Sequence, residues 1–298
     1  MRNATSRHVW TLADMPDLTG QTWLITGATR GLGLETARAA CAAGAHLILA
    51  VRNTERGDDI AAQLGNAEVV ALDLADLRSV RAAATQVLEC GHRIDVLVNN
   101  AGGSTTHRTE TRDGFEWHLG VNVLGPFLFT NLILDRVLRR VVIVASTMHR
   151  FGKFDFSDPH FRNRPWHQVA AYSQSKLGNL LWAHELTRRL QADRRGVDVQ
   201  ISHPGWANTA MGNPARTSWG KKIVAPASSL LANPTQQAAL TTLFAATQSL
   251  PPCSFIGPDG IGGLRGYPTV VRPAKKATDD ALAQQLWDFA ASETQLAK

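Results

Sequence analysis

The sequence predicts an α/β protein: a doubly wound parallel sheet of about seven strands with helices on both faces, in a single domain. Three observations carry this. Short runs rich in Val, Ile and Leu recur along the chain, those runs are apolar on both faces, and longer Ala-rich stretches of helical period separate them. Strands buried on both sides belong to parallel sheets covered by crossover helices. At 298 residues, 44% hydrophobic and 19% charged, the chain can build one sizeable core.

In chain order, residues 1–20 read as an N-terminal arm. They carry Arg2, Arg7, Asp14 and Asp17 and lack an apolar run of export-signal length. The catalytic domain is expected over 21–275. Its strands are Thr22 to Thr26, His46 to Val51, Glu68 to Leu72, Asp95 to Asn99, Val141 to Ala145 and Val197 to Ser202; helices include Leu34 to Ala43 and Arg78 to Leu88. The apolar stretch Leu119 to Leu134 is interrupted by Asn122, Pro126 and Asn131. It falls short of the roughly 20 residues of a bilayer span, so no membrane span is expected. Trp206 to Pro273 is dense in Gly, Pro and Asn, with a helix near Gln236 to Thr247, and reads as elaboration of the same domain. Residues 276–298 form a C-terminal helical tail.

Composition excludes several classes. Cys41, Cys90 and Cys253 make no CxxC pair and have no His at metal spacing, so neither disulfides nor a metal site is expected, and a reducing, cytoplasmic location fits. The net charge of +6 comes without a Lys/Arg block interleaved with aromatics, which argues against nucleic acid as a partner.

Directly after the first strand stands Thr26-Gly27-Ala28-Thr29-Arg30-Gly31-Leu32-Gly33, and a good helix start follows. Strand, glycine turn and helix N-terminus together cradle a pyrophosphate: Gly residues let the backbone N–H groups approach, and the helix end supplies partial positive charge. This is the Rossmann-type arrangement, with Gly27, Arg30, Gly31, Leu32 and Gly33 as candidate cofactor contacts. The second strand ends in Val51-Arg52-Asn53, with no carboxylate where one would bind the ribose of NAD. Arg52 and Arg30 instead offer guanidinium groups to a 2′-phosphate, so NADP (NADPH) is preferred over NAD. The alternative for Arg52 is a solvated strand-end charge.

Tyr172-Ser173-Gln174-Ser175-Lys176 opens a helix, and i, i+4 residues share a face. An ammonium about 4 Å from a phenol favours the phenolate by roughly 4 kcal/mol, enough to bring it from about 10 to about 7, where general acid–base catalysis works best. Ser146 closes a strand, at the sheet edge where ligands bind, and its hydroxyl can reach a reacting oxygen or merely cap a loop. Asn122 is an amide within an apolar helical stretch that needs partners and can hold a water or a backbone kink near Lys176.

With these residues in place, the sequence resembles the short-chain dehydrogenase/reductase family, and within it the retinol dehydrogenase-like branch and related bacterial members. The likeness rests on Gly27, Gly31 and Gly33; Asp73-Leu74; Asn99-Asn100-Ala101-Gly102; Asn122, Ser146, Tyr172 and Lys176; and Pro204-Gly205 with Thr209. The resemblance implies an NADP(H)-dependent carbonyl reductase or alcohol dehydrogenase with a Tyr-Lys-Ser-Asn tetrad. It further implies that Asp73 holds the adenine and that the Asn99 to Gly102 turn supports sheet and cofactor. Lys176 would bind the nicotinamide ribose, Asn122 would anchor a relay water, and Thr209 would contact the carboxamide. Arg52, Asn53, Leu74, Asn99, Ala101, Gly102, Pro204 and Gly205 complete the expected cofactor contacts, and a homodimer or homotetramer through the Tyr172 helix is implied.

Three departures from the branch are visible: a short turn between Leu134 and Val141, Ala145 before Ser146, and Gly103 where an apolar residue is usual. Substrate loops are expected over about 147–171 and 206–230. There Phe151, Phe154, Phe156, Trp166, Trp206 and Trp219 either line a site for a lipophilic aldehyde, ketone or alcohol or simply pack under long loops. His149 touches substrate or lies at the surface. The alternative function is a catalytically weak NADP-binding sensor or scaffold of the same fold.

Overall fold

The computed structural model describes residues 9–205 and 234–296. Its strands are β1 (Thr22–Thr26), β2 (His46–Val51), β3 (Ala67–Ala71), β4 (Ile94–Asn99), β5 (Val137–Val144), β6 (Asp198–Ser202), β7 (Phe255–Pro258) and β8 (Pro268–Val271). They form one sheet in the order β3-β2-β1-β4-β5-β6-β7-β8. Every pairing is parallel except β7 with β8, which is antiparallel. The strand order reverses between β1 and β4, the point at which a doubly wound sheet opens a crevice beyond its carboxyl ends.

Alternation along each strand feeds two cores. Leu24, Val141 and Ile143 enter one apolar cluster; Trp23, Ile25, Val142 and Val144 enter the other. Among the described residues, α1 (Gly31–Ala42), α2 (Thr54–Leu64) and α7 (Thr235–Thr247) contribute to the second cluster. On the opposite face lie α3 (Leu77–Glu89), α4 (Trp117–Leu119), α5 (Gly125–Ile133), α6 (Gln168–Ala192) and α8 (Asp280–Glu293). Each fully buried Leu, Ile or Val contributes about 1.5–3 kcal/mol.

Several expectations change. The sheet has eight strands, the eighth an antiparallel edge. β5 begins at Val137, because Arg140 within it is neutralised by Asp198 at 2.6 Å and can therefore sit in a strand despite its charge. Its start directly follows a 3-10 turn over Leu134–Arg136, which accounts for the short connection. The N-terminal segment is not a free arm from Val9 onward: Trp10 and Leu18 are buried, and Trp10 meets Phe244 edge-on at 5.5 Å.

The helical run Trp117–Arg136 reaches 20 residues with mean hydropathy 1.3, so length alone does not exclude a membrane span. However, 78% of its most apolar window is buried inside the fold, as befits a core helix. The C-terminal tail is a core element too. Trp287 of α8 packs on Phe127 of α5 at 4.8 Å, and α6 is buried within its own chain from Ala171 to Thr187 except at Tyr172 and His184, which are partly covered.

Candidate active site

The glycine turn joins β1 to α1 at the switch point. Gly27 and Gly31 have φ of +72° and +59°, a region that favours glycine. A Cβ on Gly33 would lie 2.4 Å from Asn100 Nδ2 and 2.5 Å from the Gly27 carbonyl oxygen, so backbone and helix approach as closely as they can only without a side chain there. Arg30 stands at the N-cap of α1 without a side-chain cap bond, which leaves the helix N–H groups directed at an anion. Leu32 is half-buried in the first turn, and its carbonyl accepts from Thr36 Oγ1. These features fit a dinucleotide pyrophosphate.

Arg30 and Arg52 are exposed, with no side-chain partner among the described residues. Asn53 caps α2, its side chain accepting from Arg56 N at 2.9 Å. Arg56, which the sequence reading passed over, donates from Nε to the Thr29 carbonyl at 3.0 Å. A third guanidinium therefore lies against the glycine turn. The signal available was Asn53 itself, a helix cap that turns residue 56 back toward the loop.

Asp73 and Leu74 follow β3. Asp73 accepts from Ala75 N at 3.0 Å, and Leu74 is buried. Asn99 ends β4 and reaches into the core, donating to Thr130 Oγ1 at 2.8 Å. Asn100 does the stapling: its side chain donates to the Thr26 and Gly27 carbonyls, while the N–H groups of Asn100 and Ala101 share Thr26 Oγ1 at 3.0 and 2.9 Å. Gly102 is exposed and lies beside Asn122, whose Oδ1 would be 2.9 Å from a Cβ there, with Lys176 Nζ at 3.7 Å. The small Gly103 is explained by Trp117, whose ring would be 2.7 Å from any Cβ.

Asn122 sits in a single π-helical turn, Gly120–Leu124, inserted between α4 and α5. Its Oδ1 accepts from Gly103 N at 2.8 Å, and its Nδ2 donates to the Gly103 carbonyl and to Ser175 Oγ, each at 3.0 Å. Asn122 thus stands at a backbone kink, and its side chain clamps the β4 loop to α6.

Helix α6 starts at Gln168, one turn before Tyr172, so the tyrosine and Lys176 lie inside the helix rather than at its opening. Ser146 follows β5 and caps a 3-10 turn, accepting from Met148 N at 3.2 Å, and its hydroxyl lies on the side of Tyr172. Lys176 is buried and donates to the Val144 carbonyl at 3.3 Å; its Nζ is 5.6 Å from the centre of the Tyr172 ring. The expected phenol near 7 is not found. Burial pushes Tyr172 up to about 12 against the opposing pull of the Ser146 hydroxyl, and burial brings Lys176 down to about 8. The simple estimate omitted desolvation, which penalises both charged forms.

Beside Tyr172 lies a buried network that sequence reasoning missed. His118 meets the tyrosine ring edge-on at 6.0 Å, and its Nδ1 is 2.8 Å from Glu116 Oε1. Glu116 also accepts from Leu119 N at 2.8 Å and from Trp166 Nε1 at 3.1 Å. Burial raises the Glu116 carboxyl, but the His118 bond and charge and the two N–H donors outweigh it and hold it below the usual carboxylate value. Glu116 and His118 are only two residues apart, but nothing in that spacing places them beside Tyr172 and Trp166, which are brought in from about fifty residues on.

The aromatic residues divide. Phe154 and Phe156 pack on each other at 4.5 Å and on Phe289 of α8, which is core packing, while Phe151 is 74% exposed. His149 is buried. Its Nδ1 donates to the Ser146 carbonyl at 2.7 Å and its Nε2 accepts from Ala274 N at 3.0 Å, so it neither meets a substrate nor lies at the surface. Pro204 and Gly205 follow β6, with Gly205 at φ +74° and its N–H donating to His203 Nδ1 at 3.3 Å. Thr209, Trp206, Trp219 and the expected loop 206–230 lie outside the described residues.

The short chain dehydrogenase pattern matches residues 21–219. Human retinol dehydrogenase 13 is 36% identical over 90% of this chain and 82% of its own length, and bovine dehydrogenase/reductase SDR family member 13 is 37% identical over 92% and 73%. A solved but uncharacterised protein from Mycobacterium paratuberculosis superimposes with a TM-score of 0.84 at 38% identity, covering 97% of this chain and 98% of that one. A short chain dehydrogenase from Burkholderia cenocepacia, solved in complex with NADP, gives 0.62 at 27% identity over 78% and 92%. The chain thus belongs to the short-chain dehydrogenase/reductase family of oxidoreductases.

Proposed function

We propose that the chain interconverts a lipophilic alcohol and its aldehyde or ketone with NADP(H). The observation that carries this is the grouping of Ser146, just past the carboxyl end of β5, with Tyr172 and with Lys176, buried and 5.6 Å from the centre of the phenol ring. A bound nicotinamide dinucleotide supplies or accepts the hydride. Gly27, Gly31, Gly33 and the α1 N-terminus would hold its pyrophosphate, and Arg30, Arg52 and Arg56 would face a 2′-phosphate. Tyr172 gives its hydroxyl proton to the substrate oxygen in reduction and takes it back in oxidation. Ser146 donates to the same oxygen as charge develops on it. Lys176 holds positive charge behind the phenol and favours its release of the proton. Asn122, bonded to both backbone groups of Gly103 and to Ser175, the residue before Lys176, holds the β4 loop beside that lysine.

The names of the retinol dehydrogenase relatives support a retinoid-like or other lipophilic substrate. The test is NADPH oxidation over retinal, medium-chain aldehydes, quinones and steroid ketones. Tyr172→Phe should lower kcat about 10²–10⁴-fold on any substrate found. Arg52→Ala should weaken NADPH binding about tenfold or more and leave NADH binding little changed, as loss of one charge-assisted hydrogen bond implies. Near-normal turnover by Tyr172→Phe defeats the catalytic assignment, and equal losses for both cofactors defeat the 2′-phosphate assignment. Tight NADPH binding without turnover across the panel points to the sensor or scaffold reading.

A further inference from the structure

At the opposite, amino-terminal edge of the sheet, three side chains converge that the chemistry above does not use. His46 opens β2, Glu68 lies in β3 beside it, and His92 belongs to the connection from α3 into β4. Their ligand atoms all lie within 4.8 Å of one another. His46 Nε2 is 3.8 Å from Glu68 Oε1, and His92 Nε2 is 3.1 Å from the same oxygen. We propose that His46, Glu68 and His92 form a binding site for a borderline divalent metal ion, with zinc as the best fit.

The lone pairs argue for this. Asn66 Nδ2 donates to the Ala45 carbonyl at 3.3 Å, which turns its Oδ1 toward His46 Nδ1 at 3.0 Å. An amide oxygen only accepts, so Nδ1 carries the proton and Nε2 keeps its lone pair. A metal-binding histidine is oriented in this same way, by a hydrogen bond from its other nitrogen. His46 Nε2 and Glu68 Oε1 are both shielded from solvent, and neither has a hydrogen-bond partner. The 3.1 Å approach of His92 to Glu68 thus lacks hydrogen-bond geometry, leaving two acceptor atoms unsatisfied side by side. Unpaired buried acceptors are costly, and a cation among them removes that cost.

The ligand set points to the ion. Two imidazole nitrogens and one carboxylate oxygen suit zinc, with a fourth position left for water. Zinc with ligands at about 2.0–2.2 Å in a tetrahedron sets ligand atoms roughly 3.3–3.6 Å apart. The observed 3.1 and 3.8 Å bracket that range. Side-chain exposures of 32% for His46 and 37% for Glu68 and His92 leave an entry path and freedom to close. No sequence spacing announces the site, because parallel strand pairing and a connection from another part of the chain bring the residues together. An ion there ties β3 and β2 to the start of β4 across the amino edge, away from the glycine turn and Tyr172. Its effect is on stability.

The test uses the untagged chain, treated with chelator and titrated with zinc by calorimetry, with cobalt(II) visible spectra as a second readout. Binding at one ion per chain should raise Tm and give a cobalt spectrum of tetrahedral type. His92→Ala and Glu68→Gln should each weaken zinc about tenfold or more while NADPH binding stays unchanged. These two substitutions carry the test even if replacing His46, at the start of β2, prevents folding. Failure of micromolar zinc to bind overturns the site, as does binding that neither substitution weakens.

Discussion

At the scale of single residues, the buried ammonium of Lys176 stands out. Burial brings it from 10.5 down to about 8, so at neutral pH the folded chain holds a charge that its surroundings disfavour. A depressed lysine is a stability cost below its folded value: the native state gains stability from this group only as pH rises past about 8 and the proton leaves. From 10.5 to about 8 the difference corresponds to about 3 kcal/mol at pH 7. Loss of the bond to the Val144 carbonyl offsets about 1 kcal/mol of any gain from removing the charge. Lys176→Met should therefore stabilise the cofactor-free protein by about 2 kcal/mol in urea unfolding at pH 7, while abolishing turnover. A variant less stable than the parent would show that the Val144 bond outweighs the buried charge. The reading reached Tyr172, Lys176 and Ser146 from spacing and strand ends alone, yet it misjudged the phenol. Spacing carries Coulomb attraction, whereas desolvation depends on what folds over the pair.

At the scale of elements, glycine placement decides how β1, α1 and the β4 loop meet. With Asn100 Nδ2 and the Gly27 carbonyl oxygen 2.4 and 2.5 Å from an added Cβ, Gly33→Ala forces α1 and the β4 loop apart. Overpacking of this kind costs about 1–3 kcal/mol. Gly33→Ala should therefore lower Tm by several degrees and weaken NADPH binding beyond what the lost stability explains; unchanged binding with lowered Tm would place the strain away from the pyrophosphate cradle. β1, β2 and the glycine turn after β1 were legible because both strands are short apolar runs, the first ending at Gly27 and the second running from just after Gly44 to Arg52. β7 and β8 were not: they are four residues each, lie among Gly and Pro, and gain their identity only by pairing with β6 and with each other. The first half of β5 was hidden by Arg139, which is exposed, and by Arg140, whose place in a strand depends on Asp198 from β6. Asn122 was recognised as a polar intruder, but its partner Gly103 lies across a loop.

At the scale of the whole molecule, two buried histidines join the active-site side of the sheet to its far edge. The rings of His149 and His203 both pack on Phe255 of β7, at 5.0 and 4.9 Å. Through their nitrogens His149 links the Ser146 carbonyl to Ala274, and His203 accepts from Gly205. Burial, with the charges of His149 and Arg150 beside it, brings His203 from 6.5 down to about 4; burial also lowers His149, against the pull of the Ser146 carbonyl and aided by Arg150 and Lys276. His203 therefore stays neutral in the native state well below 6.5, where the unfolded chain already takes up the proton. Stability contributed by His203 is complete above pH 6.5 and drains away as pH falls toward about 4, by about 3 kcal/mol in all. Glu116 acts in a separate window: its contribution holds above the ordinary carboxylate value of 4.5 and is lost only as pH falls through its lower native value. Urea midpoints between pH 7 and pH 4.5 should thus fall steeply before any carboxylate is involved. His203→Gln should flatten that fall, whereas Glu116→Gln should leave it intact and act below it. A slope unchanged in His203→Gln would move the acid sensitivity to His149 or His160, both also held below 6.5 by burial, and the matching substitutions would show which.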